Sequence, residues 1–203
     1  MNLIFDFDGT ICDSLDALLG VINPVLKKLR KGILTKEEIR EKGAARLLKE
    51  KGIPKFLLPI IVVYARHRLT QIIPNQKPFK DIKKVIQSLS TNNTLGIVTS
   101  NSTKNVNEFL QNNDMNEFFT FIYQSVNYLD KSTRISNALV NHNLKSKETY
   151  FIGDETRDIN AAKLAGVKAI AVTWGVEGEN LLKRSKPDKI VHKPKDLLVY
   201  FTL

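Results

Sequence analysis

Leu3-Ile4-Phe5-Asp6-Phe7-Asp8-Gly9-Thr10 ends the first apolar run of the chain with two carboxylates set two residues apart. A strand entering a core ordinarily ends in neutral turn residues, and like charges at a buried strand end repel unless a cation or a shared proton relieves them. The pair therefore predicts a metal ion. A second acidic cluster, Gly153-Asp154-Glu155-Thr156-Arg157-Asp158, follows another apolar run, Tyr150-Phe151-Ile152, almost a full domain later. Whether one site holds both clusters depends on how the residues between them fold.

The first strand reads as residues 2–7, and no comparable strand signal returns before Leu95-Gly96-Ile97-Val98-Thr99. The intervening sequence is helical. Residues 15–29 carry apolar side chains at helical spacing, with Pro24 expected to kink or split the helix. Thr35 and Glu38 make a capping box that opens a helix toward Gly52, and residues 53–73 give further helix closed by Pro74 and Pro78. Helices in a row directly after the first strand predict a helical cap domain over residues 15–78, inserted into a core domain made of residues 1–14 and 79–203.

From residue 79 the pattern alternates regularly. Helices are expected over residues 79–90, 102–110, 132–142 and 156–165, and strands over 95–99, 118–123, 150–153 and 169–173, with 188–191 as an edge strand. Strands separated by helices of this length pair in parallel through right-handed crossovers. The fold class is therefore α/β, a doubly wound parallel sheet with an inserted helical domain. In such sheets ligands bind beyond the carboxyl ends of the strands near the switch point, and Asp6, Thr99, Lys131 and Asp154 all fall at or shortly after such ends.

Composition narrows the class further. With 203 residues the chain can bury a full-sized core. Its single cysteine, Cys12, excludes an intramolecular disulfide, and no basic-then-apolar signal segment precedes the first strand, so cytoplasmic residence is expected. The longest apolar stretch, residues 56–65, is broken by Pro59 and falls well short of the roughly 18 residues a membrane span needs. The formal net charge is +10, and residues 15–78 hold 14 of the 31 Lys and Arg against 5 of the 21 Asp and Glu. That segment reads either as an anion-attracting surface or as lysine written onto solvated helix faces. The small share of arginine speaks against nucleic acid as the partner.

Taken together, Asp6-Phe7-Asp8-Gly9-Thr10, Thr99 after its strand, Lys131, and Gly153-Asp154 with Asp158 resemble the four motifs of the haloacid dehalogenase superfamily. The resemblance is to the subgroup with a helical cap inserted after the first strand, which includes phosphoglycolate phosphatases and β-phosphoglucomutases. It implies a phosphatase acting on a small phosphate ester, with Asp6 as nucleophile, Asp8 as general acid and base, and Lys131 bridging nucleophile and phosphate. It also implies Mg2+ held by the Asp6 carboxylate, the Asp8 backbone carbonyl and the Asp154 carboxylate, with Asp158 in support. Hard oxygen donors without a Cys or His cluster suit that ion. Thr99, Ser100 and Asn101 are candidate phosphate contacts; Ser100 and Asn101 read equally as turn residues. Asp154 and Asp158 read alternatively as caps of the helix that follows.

Substrate choice is expected to rest on the cap, where Lys42-Gly43-Ala44-Ala45-Arg46 resembles a segment whose arginine grips a second phosphate in the phosphomutase relatives. Arg46 and Lys42 are therefore candidate substrate contacts, against the ordinary role of exposed helix cations. Two other readings stand beside the phosphatase: a phosphomutase using the same chemistry, and a non-catalytic protein whose basic cap binds nucleic acid or an acidic partner.

Overall fold

Side chains alternate between the two faces of a strand, and in this chain both faces are apolar, so the sheet must be covered on both sides. The structure is a computed structural model describing residues 1–54, 56–125 and 128–201. Lys55, Val126, Asn127, Thr202 and Leu203, all inside the two expected domains, lie outside the described residues. Strands β1 (Asn2–Phe5), β2 (Thr94–Thr99), β3 (Phe121–Gln124), β4 (Thr149–Gly153), β5 (Lys168–Val172) and β6 (Lys189–Val191) form one parallel sheet in the order β3-β2-β1-β4-β5-β6.

On one face, Leu3, Phe5, Leu95, Ile97, Ile152, Ile170 and Val172 pack with helices α5 (Ile82–Ser90), α6 (Thr103–Asn112) and α10 (Asp196–Phe201). On the other, Ile4, Val98, Phe151, Ala169 and Ala171 meet α7 (Tyr128–Asn141), α8 (Thr156–Leu164) and α9 (Glu179–Arg184). This is the doubly wound α/β class. The order reverses beside β1: the chain steps outward through β2 and β3, then crosses over to β4. The end of β1 and the end of β4 are thus neighbours, which brings the two acidic clusters to one edge.

Between β1 and the remainder of the sheet lie α1 (Leu15–Lys28), α2 (Lys36–Lys42), α3 (Ala44–Glu50) and α4 (Leu57–Leu69). Leu15, Leu26, Leu34, Ile39, Leu47, Ile53 and Ile61 form an apolar cluster of their own, joined by Val176 from the segment after β5. The chain leaves for and returns from these helices at one place, where the Asp13 amide donates to the Lys77 carbonyl at 3.1 Å and the Phe79 amide to the Ile11 carbonyl at 3.0 Å. Among the described residues no helix is long and apolar enough to cross a membrane.

Several boundaries differ from the sequence expectation. Helix α1 runs unbroken past Pro24, because Pro24 and Gly20, whose carbonyl loses its partner, both lie on the solvent side, while Val21 and Leu26 stay buried. The helix opened by Thr35 stops at Lys42: Gly43, with φ of 79°, breaks it into α2 and α3. Its capping box is present, with the Glu38 amide donating to Thr35 Oγ1 at 3.2 Å and the Thr35 amide to Glu38 Oε2 at 3.0 Å. The helix expected over 53–73 is confined to α4, followed by a 3-10 turn at Ile73–Asn75. Strand β3 starts three residues late, after a 3-10 turn at Asn116–Phe118. Helix α7 starts at Tyr128, so Lys131 lies inside its first turn instead of preceding the helix.

Candidate active site

The Asp6 amide extends the ladder of β1 by one bond, donating to the Ile152 carbonyl at 2.8 Å, after which the chain turns tightly. The amides of Thr10, Ile11 and Cys12 all donate to the Phe7 carbonyl, and Phe7 packs edge-on against Phe109 at 5.0 Å. The apolar residue between the two aspartates therefore anchors the turn in the core and leaves the carboxylates facing the sheet edge. Gly9 takes φ of 78°, and a Cβ there would lie 2.1 Å from Asp154 Oδ2, so the turn and Asp154 are packed against one another.

Four of the expected residues converge. Lys131 Nζ lies 3.0 Å from Asp6 Oδ2 and 2.7 Å from Asp158 Oδ1, and all three side chains are buried. Carboxylate oxygens of Asp6, Asp154 and Asp158 lie within 4.8 Å of one another. Asp154 is fully buried and oriented by two donors, the Thr10 hydroxyl to Oδ1 at 2.8 Å and the Val176 amide to Oδ2 at 2.8 Å. Asp158 has both oxygens engaged, since Oδ2 also accepts from the Glu155 amide at 3.1 Å. That last bond is the capping role weighed from sequence. It belongs to Asp158 alone, because the N-cap of α8 is Glu155 and not Asp154.

Asp8 stands slightly apart. Its Oδ2 accepts from Asn101 Nδ2 at 2.9 Å, and the Ser14 hydroxyl also bonds to its carboxylate. Asn101 is held in turn by its amide on Thr99 Oγ1 at 3.1 Å and by Asn105 Nδ2 on its Oδ1 at 2.8 Å. Thr99 is fully buried, Ser100 half-buried, and Ser102 caps α6 by accepting from the Asn105 amide. Arg46 and Lys42 make their contacts elsewhere: Arg46 Nε lies 2.9 Å and Lys42 Nζ 3.0 Å from the Glu50 carboxylate, within the inserted helices.

Burial pushes the Asp6 carboxyl above the ordinary carboxylate range, opposed by the Lys131 ammonium and aided by the Asp158 charge. Burial also raises Asp154, and the charges of Glu155, Asp158 and Asp6 add to it. Burial raises Asp8 too, against the bonds from Asn101 and Ser14. Desolvation acts to lower Lys131, but the Asp158 and Asp6 carboxylates outweigh it and hold the ammonium charged. Three buried carboxylates thus face one buried ammonium. The guanidinium of Arg157, paired with Glu155, adds a partial field at the edge. An oxygen-only, negatively charged cradle fits a hard divalent cation such as Mg2+.

The same charges set a pH dependence for the metal-free protein. A carboxyl with a raised folded-state pKa protonates in the folded chain before the unfolded one, so between the two values the folded state binds more protons and gains stability as pH falls. Because Asp6, Asp8 and Asp154 are all raised, Tm of the metal-free protein is expected to increase as pH is lowered from about 8 toward about 5. A steady fall in Tm over that window would contradict this electrostatic account.

Several contributors had no role in the sequence reading. Thr10 lies inside the first motif and was accessible there, because a hydroxyl two residues past Asp8 is an available donor. Ser14, Asn105 and Val176 carried no assignment either, whereas Trp174, which after its strand end reads as core with a wall of the site as the alternative, donates its Nε1 to the Thr10 carbonyl at 3.0 Å. Arg40 likewise gave no signal beyond its charge.

Comparison with known proteins places this geometry. The family model for haloacid dehalogenase-like hydrolases matches residues 3–172. A phosphoglycolate phosphatase of Synechococcus elongatus is 26% identical over 200 residues, covering 97% of this chain and 94% of the relative. The pyrophosphatase PpaX of Anoxybacillus flavithermus is 26% identical over 203 residues, with the same coverage of 97% and 94%. A haloacid dehalogenase-like hydrolase from Streptococcus pneumoniae superposes with a TM-score of 0.78 at 26% identity, covering 98% of this chain and 97% of that one. With the match spanning both acidic clusters and every strand from β1 to β5, the chain belongs to the haloacid dehalogenase-like hydrolases.

Proposed function

We propose that this protein is a Mg2+-dependent phosphatase that hydrolyses a small phosphate monoester through an aspartyl-phosphate on Asp6. One observation carries the reading: the buried Asp6 carboxylate, at the end of β1, is paired with Lys131 at 3.0 Å and shares its pocket with Asp154 and Asp158. Phosphate monoesters hydrolyse extremely slowly in water, so a site must combine a positioned nucleophile with concentrated positive charge.

Asp6 attacks phosphorus in line, and the ester oxygen leaves. Asp8, half-buried beside it and oriented by Asn101 and Ser14, gives its proton to that oxygen and then takes one from the water that opens the aspartyl-phosphate. Its raised pKa favours the protonated form needed first. Lys131, fixed by Asp158, offsets charge on the transferring group. The Thr99 hydroxyl and the amides beyond β2 receive phosphate oxygens. Asp6, Asp154 and the Asp8 backbone carbonyl would hold Mg2+, with Asp158 placing Lys131 beside them. The ion, when bound, supplies charge that relieves the repulsion between a carboxylate nucleophile and a phosphoryl dianion.

Residues 15–78 are assigned as the cap that selects the substrate. Phosphoglycolate and pyrophosphate, for which two relatives are named, each carry a second anionic group beside the reacting phosphoryl, and the cationic excess of this segment suits such a substrate. A panel of phosphate esters with and without Mg2+ tests the proposal. Mg2+-dependent release of inorganic phosphate, fastest from esters with a second anion, is expected. Isomerised product without free phosphate would point to a phosphomutase, and no turnover of any ester would leave the binding-protein reading.

A further inference from the structure

Sheet domain and inserted helices meet at the segment between β5 and α9, residues 173–178. Arg40, in the last turn of α2, lays its guanidinium across that segment. Nη1 donates to the Gly175 carbonyl at 2.6 Å and Nη2 to the Thr173 carbonyl at 2.6 Å. The Gly178 amide returns a bond to the Arg40 carbonyl at 2.8 Å. Val176, the residue after the second carbonyl, is buried in the apolar cluster of the inserted helices. A planar fork can bridge two carbonyls two residues apart in this way, whereas a lysine ammonium cannot hold both with one fixed geometry.

The segment held by Arg40 is also the segment that orients Asp154. The Val176 amide donates to Asp154 Oδ2 at 2.8 Å and the Glu177 amide to the Asp154 carbonyl at 3.3 Å. Trp174 bonds to the Thr10 carbonyl, and the Thr10 hydroxyl holds the other Asp154 oxygen. Glu177 completes the junction: its carboxylate accepts from the Thr156 amide at 2.7 Å, and a Cβ on Gly43 would lie 3.2 Å from its Oε1.

We infer that Arg40 is a positioning residue for the cation site, fixing residues 173–178 so that the Val176 amide holds Asp154 in its ligating orientation and thereby coupling the seating of the inserted helices to metal affinity. The inference rests on the reading of Asp154 as a metal ligand. Partners that orient a ligand in this way contribute about 10- to 100-fold to metal affinity. Removing the fork frees two carbonyls and loosens the amide that Asp154 accepts from, without touching a ligand.

The test is calorimetric titration of the full-length protein with Mg2+ in the absence of substrate, together with amide hydrogen exchange. Arg40→Met is expected to raise the Mg2+ Kd by about tenfold or more and to speed exchange at the Val176 amide. Arg40→Lys, which keeps the charge and one donor head, falls between it and the wild type and serves in its place if Arg40→Met does not fold. Leu89→Ala, a buried change in α5 remote from the junction, lowers Tm while leaving Kd unaltered, which separates positioning from general destabilisation. An unchanged Kd in the Arg40 variants would overturn the inference. Asp154→Asn distinguishes the two possible failures: lost Mg2+ binding there with normal binding in Arg40→Met removes only the role of Arg40, whereas wild-type binding in Asp154→Asn removes the ligand reading with it.

Discussion

Replacing Asp6 with Asn lowers kcat by about 10⁴-fold or more, the scale seen when a nucleophile that acts as part of a unit is removed. The substitution is nearly isosteric. The Asn oxygen can still accept from the Phe7 amide, which Asp6 Oδ1 does at 2.8 Å, so the turn from Phe7 to Cys12 keeps its anchor. Lys131 keeps Asp158 as a partner at 2.7 Å. One charge also leaves a cluster of three buried carboxylates, so metal-free Asp6→Asn is expected to melt no lower than the wild type. Steady-state assays and thermal melts on the same preparation check both halves. Turnover near the wild-type rate would remove Asp6 as nucleophile, and a collapsed Tm would show that Asp6 serves the fold first.

Lys131→Met gives the second large effect, and it acts on stability and rate together. Lys131 has a side-chain exposure of 2% and lies between two carboxylates that are themselves buried. Breaking such a pair by removing one partner costs about 3–5 kcal/mol, because the remaining charges are left uncompensated. Methionine preserves most of the volume, so the loss is electrostatic and not a cavity. Urea unfolding of metal-free protein reads it directly. The rate falls as well, by about 10²–10³-fold, the usual cost of losing one charged group aimed at the transferring oxygens. Adding Asp158→Asn to Lys131→Met removes one orphaned carboxylate and returns part of the stability but none of the rate. A double variant as unstable as Lys131→Met, or a single variant with full activity, would contradict this division of roles.

The sheet was legible because its signals are local. Apolar runs of strand length alternated with helices such as α6, whose cap Ser102 stands in the sequence. Parallel pairing and the switch-point rule then carried Asp6 and Asp154 to one edge without any knowledge of contacts. The carboxylate cluster was legible for the same reason, and Lys131 was legible by position although its place inside α7 was not. What escaped the sequence depends on residues far apart in the chain. Arg40 sits among Lys36, Glu37, Glu38, Glu41 and Lys42 and reads like any cation of a solvated helix, yet its partners are 133 and 135 residues away. Val176 reads as a loop residue and becomes part of another cluster's core. Arg46 shows the opposite case: Glu50, its ion-pair partner four residues on, was visible in the sequence from helical spacing alone.

If Asp6 carries the phosphoryl group during turnover, that group can be trapped on it. Wild-type protein mixed with Mg2+ and a turned-over ester is quenched in acid within one turnover, reduced with borohydride, and digested for peptide mass spectrometry. An acyl phosphate is reduced to the alcohol, so homoserine is expected at position 6 and an unmodified carboxylate at Asp8, Asp154 and Asp158. Phosphate release at the normal rate with position 6 unmodified, or with the modification at another aspartate, would contradict it.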